Sequence, residues 1–279
     1  HTPILTPSSP TMNRRDFLAA SALAGAVPLS SLAAGTGIGA GISADDAPQY
    51  LELRQYQMLY GDKQQQLHAF MKDVAIPAFN RHGIGPVGAF QVVYGQNQPS
   101  LYVLLPHAGP ASVLALRRSL AEDRAYHEAG TAFLEPPLAD PAFVRVESSL
   151  LVAFAGMPKL EVPAQTAEGR SRIFELRIYE SHSEPAARRK VQMFDEGGEI
   201  AIFRKTGLTP VFFAETLVGP RLPNLQYLLA FDDLAARDRA WATFVNDPDW
   251  KALAADPFYK DTVSTITDLI LRPTAYSQI

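Results

Sequence analysis

The chain has 279 residues, 47% of them hydrophobic and 19% charged, with a formal net charge of −4. That is a globular composition, in a chain long enough to bury a sizeable core. It lacks the basic face of a nucleic-acid binder and is poorly suited to an anionic membrane surface. With no cysteine, disulfides, cysteine-ligated iron–sulfur clusters, C-x-x-C-H haem attachment and a thiol nucleophile are excluded too.

Residues 1–44 read as a leader. Met12-Asn13-Arg14-Arg15-Asp16-Phe17-Leu18, followed by a mild run of Ala, Leu, Ser and Val, has the pattern of a twin-arginine signal segment. Met12 reads as the initiator, with residues 1–11 upstream of it. The run from Phe17 to Ala34 is broken by Pro28 and is too weakly apolar for a membrane span. Cleavage fits after Ser31-Leu32-Ala33 or after Gly41-Ile42-Ser43. The expectation is twin-arginine export to the periplasm or beyond, of a mature protein that does not span the membrane. Gly35 to Gly41 has no strand before it and reads as a spacer, not a phosphate cradle.

The remainder is organised by an internal repeat at a spacing of about 124 residues. Glu52-Leu53-Arg54-Gln55-Tyr56 recurs as Glu175-Leu176-Arg177-Ile178-Tyr179, and Phe79 to Val87 recurs as Phe203 to Val211. Pro99 to Leu105 answers to Pro223 to Leu229, Asp123-Arg124-Ala125-Tyr126 to Asp238-Arg239-Ala240-Trp241, and Asp140-Pro141 to Asp256-Pro257. The copies are placed at 48–156 and 171–279, with a Pro- and Gly-containing linker over 157–170.

Within the first copy, Tyr50 to Met58 alternates like a half-buried strand. Lys63 to Arg81 has helical spacing, with a kink or restart at Pro77 and a glycine stop at Gly83. Val87 to Tyr94 and Ser100 to Pro106 form a hairpin around Gly95-Gln96-Asn97-Gln98-Pro99. Pro110 to Tyr126 is helical, and Ser148 to Phe154 is the last strand. The order is βαββαβ, the ferredoxin-like plan. A sheet covered by helices on one face must bury the other. The fold class is therefore α+β: two tandem ferredoxin-like repeats pairing as a pseudo-twofold α+β barrel.

Glu-Leu-Arg-x-Tyr opening each copy, Arg81-His82-Gly83 ending a helix, and Pro86-Val87-Gly88-Ala89-Phe90 after it resemble the NIPSNAP family. The resemblance covers both copies and implies the dimeric α+β barrel architecture. The second copy departs from it, with Lys205-Thr206-Gly207 and Val211-Phe212-Phe213, so a role for the histidine would belong to one copy only. The family has no well-defined activity and implies no cofactor.

Side chains alternate across a strand, so Glu52, Arg54 and Tyr56 share one face, as do Glu175, Arg177 and Tyr179. The apolar opposite face is expected to meet the helices, which turns the Glu-Arg-Tyr face into the lumen. Two readings stand: a structural ion-pair network fixing the register, or a polar lumen orienting a small ligand with Arg54 or Arg177 as anion clamp. His82 is either a helix cap or a base or axial haem ligand at the barrel mouth. No histidine has a partner at metal-binding spacing, so no metal is expected, and His68 is placed on the exposed side of its helix. Phe90, Tyr94 and Phe212 are large enough to fill the lumen. The functional reading is an exported NIPSNAP-family scaffold or binding protein. The alternative is a small-molecule binder or cofactor-free enzyme, of oxygenase or isomerase type, using a polar lumen. Partners are a small organic ligand or a protein, and the chain is a monomer, or a homodimer through remaining strand edges.

Overall fold

The computed structural model describes residues 47–279, so the leader and its signal lie outside the described residues. The first copy runs β1 (Tyr50–Gln57), α1 (Asp62–Phe70), a π turn (Met71–Ala75), α2 (Ile76–Arg81), β2 (Gly88–Tyr94), β3 (Ser100–His107), α3 (Pro110–Glu122), α4 (Arg124–Leu134) and β4 (Arg145–Ala153). A short α5 (Ala164–Ala167) sits in the linker. The second copy runs β5 (Ile173–Glu180), α6 (Glu184–Asp195), α7 (Glu199–Lys205), β6 (Thr209–Val218), β7 (Asn224–Phe231), α8 (Leu234–Asn246), α9 (Pro248–Ala254) and β8 (Thr265–Pro273). No helix among the described residues is long and apolar enough to cross a membrane.

The eight strands close into one antiparallel barrel in the order β1-β3-β2-β8-β5-β7-β6-β4. Each copy contributes four strands, and the copies join at two seams, β2 with β8 and β4 with β6. Both seams carry a register shift, the local bend by which a twisted sheet is closed on itself. Closure corrects one expectation: among the described residues no unpaired strand edge is left for a homodimer to use.

The helix ends show why the repeat motif has its glycines. His82 ends α2 and Gly83 follows with φ +76°; the Gly83 N–H bonds to the Asn80 carbonyl and the Ile84 N–H to the Phe79 carbonyl. Gly207 does the same after α7, with φ +85° and the bonds Gly207 to Arg204 and Leu208 to Phe203. Only glycine takes this left-handed turn freely, so both copies keep it. The helix restarts at Pro77, as expected, with the proline in the first turn of α2. Pro77 has no N–H for the Asp73 carbonyl, and the π turn over Met71–Ala75 absorbs the missing bond. The helix expected over 110–126 is two helices. Asp123 is extended, with φ −77° and ψ 96°, and its carboxylate caps the Tyr126 N–H at 2.9 Å to start α4.

Three apolar layers result. Leu51, Leu53, Phe90, Tyr102 and Leu104 meet Phe174, Leu176, Ile178, Phe212 and Leu228 inside the barrel. Leu67, Phe70, Met71, Phe79, Leu116 and Phe133 cover the outside of the first copy's strands with Tyr56, Val103 and Leu105. Phe194, Phe203, Phe213, Tyr227 and Phe244 do so in the second copy.

Candidate functional site

The alternation along the first strand of each copy is as the sequence predicts, but the faces are reversed. Leu51, Leu53, Leu176 and Ile178 point into the lumen. Glu52, Arg54 and Tyr56, with Glu175, Arg177 and Tyr179, lie on the outer face beneath the helices. The physical reason is solvation. A lumen lined from all sides by eight strands offers no water to a charge, whereas a helix layer has open ends and aromatic planes on which a guanidinium can stack. The lumen is therefore apolar and packed over most of its length, with a polar end. Phe90 and Phe212 fill it as expected, while Tyr94 stands outside at 61% exposure. Near one end, by Gln55, Tyr102, Ser149 and Gln226, a gap of about 30 Å³ has room for about one water. The polar lumen is thus not available as a ligand site.

In the first copy the outer-face network centres on Glu52, and His107 Nε2 is buried without a hydrogen-bond partner among the described residues. Arg54 donates from Nε and from Nη2 to Glu52, each at 2.8 Å, and Ser148 Oγ donates to the same carboxylate at 2.8 Å. His107, which sequence reasoning left unassigned, lies fully buried with Nε2 3.6 Å from Glu52. Burial alone would raise the Glu52 carboxyl, but the His107 ring beside it, the hydrogen bonds from Arg54 and Ser148 and the Arg54 charge hold it well below the usual range. Arg54 lies 5.6 Å from the centre of the Phe79 ring. Phe70 stacks on Phe133 at 4.3 Å, with Tyr126 and Phe143 around them. Glu52 and Arg54 are thus paired with each other, and a separate apolar pocket of about 310 Å³ lies beside Phe70 and Phe133.

His82 is not part of it. Its Nε2 lies 3.0 Å from Asp123 Oδ2, which also receives Arg81 Nη2 at 2.8 Å. The backbone bond from Tyr126, followed by the Arg81 side chain, holds the Asp123 carboxyl down at about 2. The histidine ties the end of α2 to the break before α4. His68, expected to be exposed, is half-buried, with Nδ1 2.6 Å from the Tyr276 hydroxyl; burial lowers its pKa.

The second copy differs at the same positions. Glu175 is fully buried and takes four donors: Arg177 Nη1 at 3.0 Å, Arg237 Nη2 at 2.7 Å, Arg237 Nε at 2.9 Å and Trp241 Nε1 at 2.7 Å. Because Arg237 takes the two-pronged position that Arg54 holds in the first copy, Arg177 keeps one bond to Glu175. Its Nε is buried without a hydrogen-bond partner among the described residues. Its guanidinium lies 4.6 Å from the Trp241 ring centre, and its strand partner on β8 is the exposed Asp268.

Beside Arg177 opens a pocket of about 440 Å³. Its walls are aromatic: Phe244 packs 4.8 Å from Phe203, 5.6 Å from Trp241 and 4.4 Å from Trp250. Val245 and Ile266 form a half-exposed apolar rim. Its back holds a buried ion pair, Lys190 Nζ to Glu199 Oε2 at 2.7 Å. Burial raises the Glu199 carboxyl against the opposing pull of Lys190. The matching positions of the first copy are Leu67 and Ala75, both fully buried. The second copy thus places charge where the first is apolar. That signal was present in the repeat alignment and went unread, as did Arg237. Among the described residues no group of side chains could hold a metal ion.

A closed α+β barrel built from two ferredoxin-like copies is therefore the class of this protein, and the comparisons agree. The NIPSNAP family model matches residues 174–278, the second copy. The fold is shared with crystal structures of two proposed monooxygenases. That from Lactobacillus acidophilus NCFM is 9% identical, with a TM-score of 0.52, covering 81% of this chain and 94% of its own. That from Fusobacterium nucleatum is 10% identical, with a TM-score of 0.53, covering 81% and 93%. An uncharacterized NIPSNAP-like domain protein from Burkholderia xenovorans is 27% identical over 39% of this chain and 90% of its own, with a TM-score of 0.35. No curated protein matches.

Proposed function

We propose that the protein is a binding protein for a small anionic aromatic molecule, held in the pocket of the second copy. The observation that carries this reading is the unpartnered, buried Nε of Arg177 at a pocket walled by Phe203, Trp241, Phe244 and Trp250. An aromatic ring would stack on the walls while its carboxylate or phenolate takes the free guanidinium edge. Glu175, Arg177 and Tyr179 of the sequence candidates belong to this site; Glu52, Arg54, Tyr56 and His82 are assigned to structure. The pocket lining has no histidine, serine or cysteine, and its amine and carboxylate are already paired. Recognition is the chemistry these side chains supply.

The test is direct, because the chain has two tryptophans and both line the pocket. Titration with benzoate, 4-hydroxybenzoate and 2-naphthoate is expected to quench tryptophan fluorescence saturably. A Kd on the order of 10 μM for the best of them is expected, and Arg177→Gln should weaken it about tenfold. A fluorescence response that stays linear in ligand for all three acids overturns the reading.

We also propose that the protein works outside the cytoplasm after twin-arginine export, on the strength of the Arg14-Arg15 pattern. In fractionated cells, Arg14→Lys with Arg15→Lys should leave unprocessed protein in the cytoplasm. Unchanged processing and localisation of the double variant would refute it.

A further inference from the structure

The linker and the residues after β8 meet over one mouth of the barrel. The Ile279 side chain is buried among the lumen residues. The segment leading to it is stitched to β2 and the residue before it: Gln278 Oε1 accepts the Val87 N–H at 2.7 Å and Ser277 Oγ accepts the Ala89 N–H at 3.0 Å. Beside this plug lies a pocket of about 400 Å³, formed by the linker, the start of β5 and the end of β8. Neither tryptophan lines it, and it is separate from the site above.

Its lining is one-sided in charge. Arg170, Arg172 and Arg272 contribute to it and no carboxylate does. Arg170 is neutralised by Glu168 and Asp232. Arg272 has no acidic partner among the described residues. Arg172 donates Nη2 to the Ile279 carbonyl at 2.8 Å and Nη1 to the Arg170 carbonyl at 3.3 Å. Its Nε is buried with no partner, and so are the hydroxyls of Thr166 and Thr274. Burial pulls the Arg172 pKa down. Two side-chain hydroxyls and a guanidinium N–H, all on residues that line one cavity, are buried and unsatisfied, and each such group in a native structure calls for an explanation.

We infer that this pocket is an oxyanion site, taking a phosphate or carboxylate group between Arg172 and Arg272 with the Thr166 and Thr274 hydroxyls as further donors. The Arg272 guanidinium, the Arg172 Nε–H and hydroxyls from the linker and from the end of β8 suit a phosphate group, whose oxygens point in four directions. A bound anion would bridge the linker and the segment after β8, and so would hold the plug in the barrel mouth.

The experiment is hydrogen exchange and thermal melting of the protein in a zwitterionic buffer, with inorganic phosphate or malonate added and chloride adjusted to constant ionic strength. Phosphate is expected to slow amide exchange in residues 166–172 and 274–279 and to raise the melting temperature saturably, with a Kd on the order of 1 mM. Arg272 is exposed, so Arg272→Gln should fold normally and weaken the effect about tenfold. A larger response to malonate than to phosphate would support the oxyanion site and name the carboxylate as its ligand. No saturable response to either anion, or an equal response in Arg272→Gln, overturns the inference. The fluorescence titration of the other pocket is independent of every one of these outcomes.

Discussion

Lys190→Leu is expected to destabilise the protein by about 3 kcal/mol, because it leaves the Glu199 carboxylate buried without its partner. Adding Glu199→Ala should restore most of that loss or exceed the parent's stability. The reason is internal to the chain. Leu67 and Ala75 occupy these positions in the first copy and are fully buried there, so the fold has already accepted the apolar pair. Replacing a buried ion pair by well-packed apolar groups is commonly neutral or favourable, whereas removing one partner is not. The sign of the pH dependence follows from Glu199. Its folded-state pKa is raised by burial, and losing Lys190 raises it further. Stability of the single variant is then fully present below the ordinary carboxyl value and declines as pH rises through the folded-state value. Urea unfolding of the parent, single and double variants at acidic and neutral pH measures all of this. If the double variant is as unstable as the single one, the pair is a structural necessity. If it is stable and has lost the fluorescence response to aromatic acids, the charges are there for the ligand.

Much of the architecture was legible because it was written twice. The turn at Gly83 and Gly207, the strand alternation, and the matching of Phe79 to Phe203 each follow from local geometry that a sequence displays. What the sequence could not display is which face of a strand looks inward. Period 2 gives the parity of Glu52 and Arg54 and says nothing of the side, and the side was assigned on the wrong physical ground. Helices do call for an apolar face beneath them, yet a lumen closed by eight strands is the drier place. His107 stayed unassigned for a related reason. It shares the outer face of β3 with Val103 and Leu105, but its approach to Glu52 depends on the register between β1 and β3, which is a tertiary fact. The asymmetry between the copies was readable, and was read at the wrong residues. His82 is the difference that the motif displays, while Lys190 and Glu199, charges standing where the first copy is apolar, mark the aromatic pocket of the second copy.

Phe90→Ala is expected to cost about 4 kcal/mol, the range for deleting a buried aromatic ring, and to leave binding in the second-copy pocket intact. The ring is 1% exposed and meets Phe174 edge to face, with centroids 4.8 Å apart. It also fills the space over Gly88, where an added Cβ would come within 2.5 Å of it. Phe174 in turn belongs to the opposite copy, so the Phe90 contact is part of what holds the two four-stranded halves together across the lumen. Deleting the ring removes contact from both halves at once, and eight paired strands leave little freedom for the walls to collapse into the void. Denaturant unfolding gives the cost, and the aromatic-acid titration, read from Trp241 and Trp250, gives the binding. A large loss of stability with an unchanged Kd means that the lumen is core and the site lies outside it. A small loss, or a lost titration in a protein that is still folded, would place the ligand inside the barrel after all. Arg177→Gln is the mirror-image variant. Its Nε has no hydrogen-bond partner to lose, and Glu175 retains Arg237 and Trp241. Its effect on binding should therefore exceed its effect on folding.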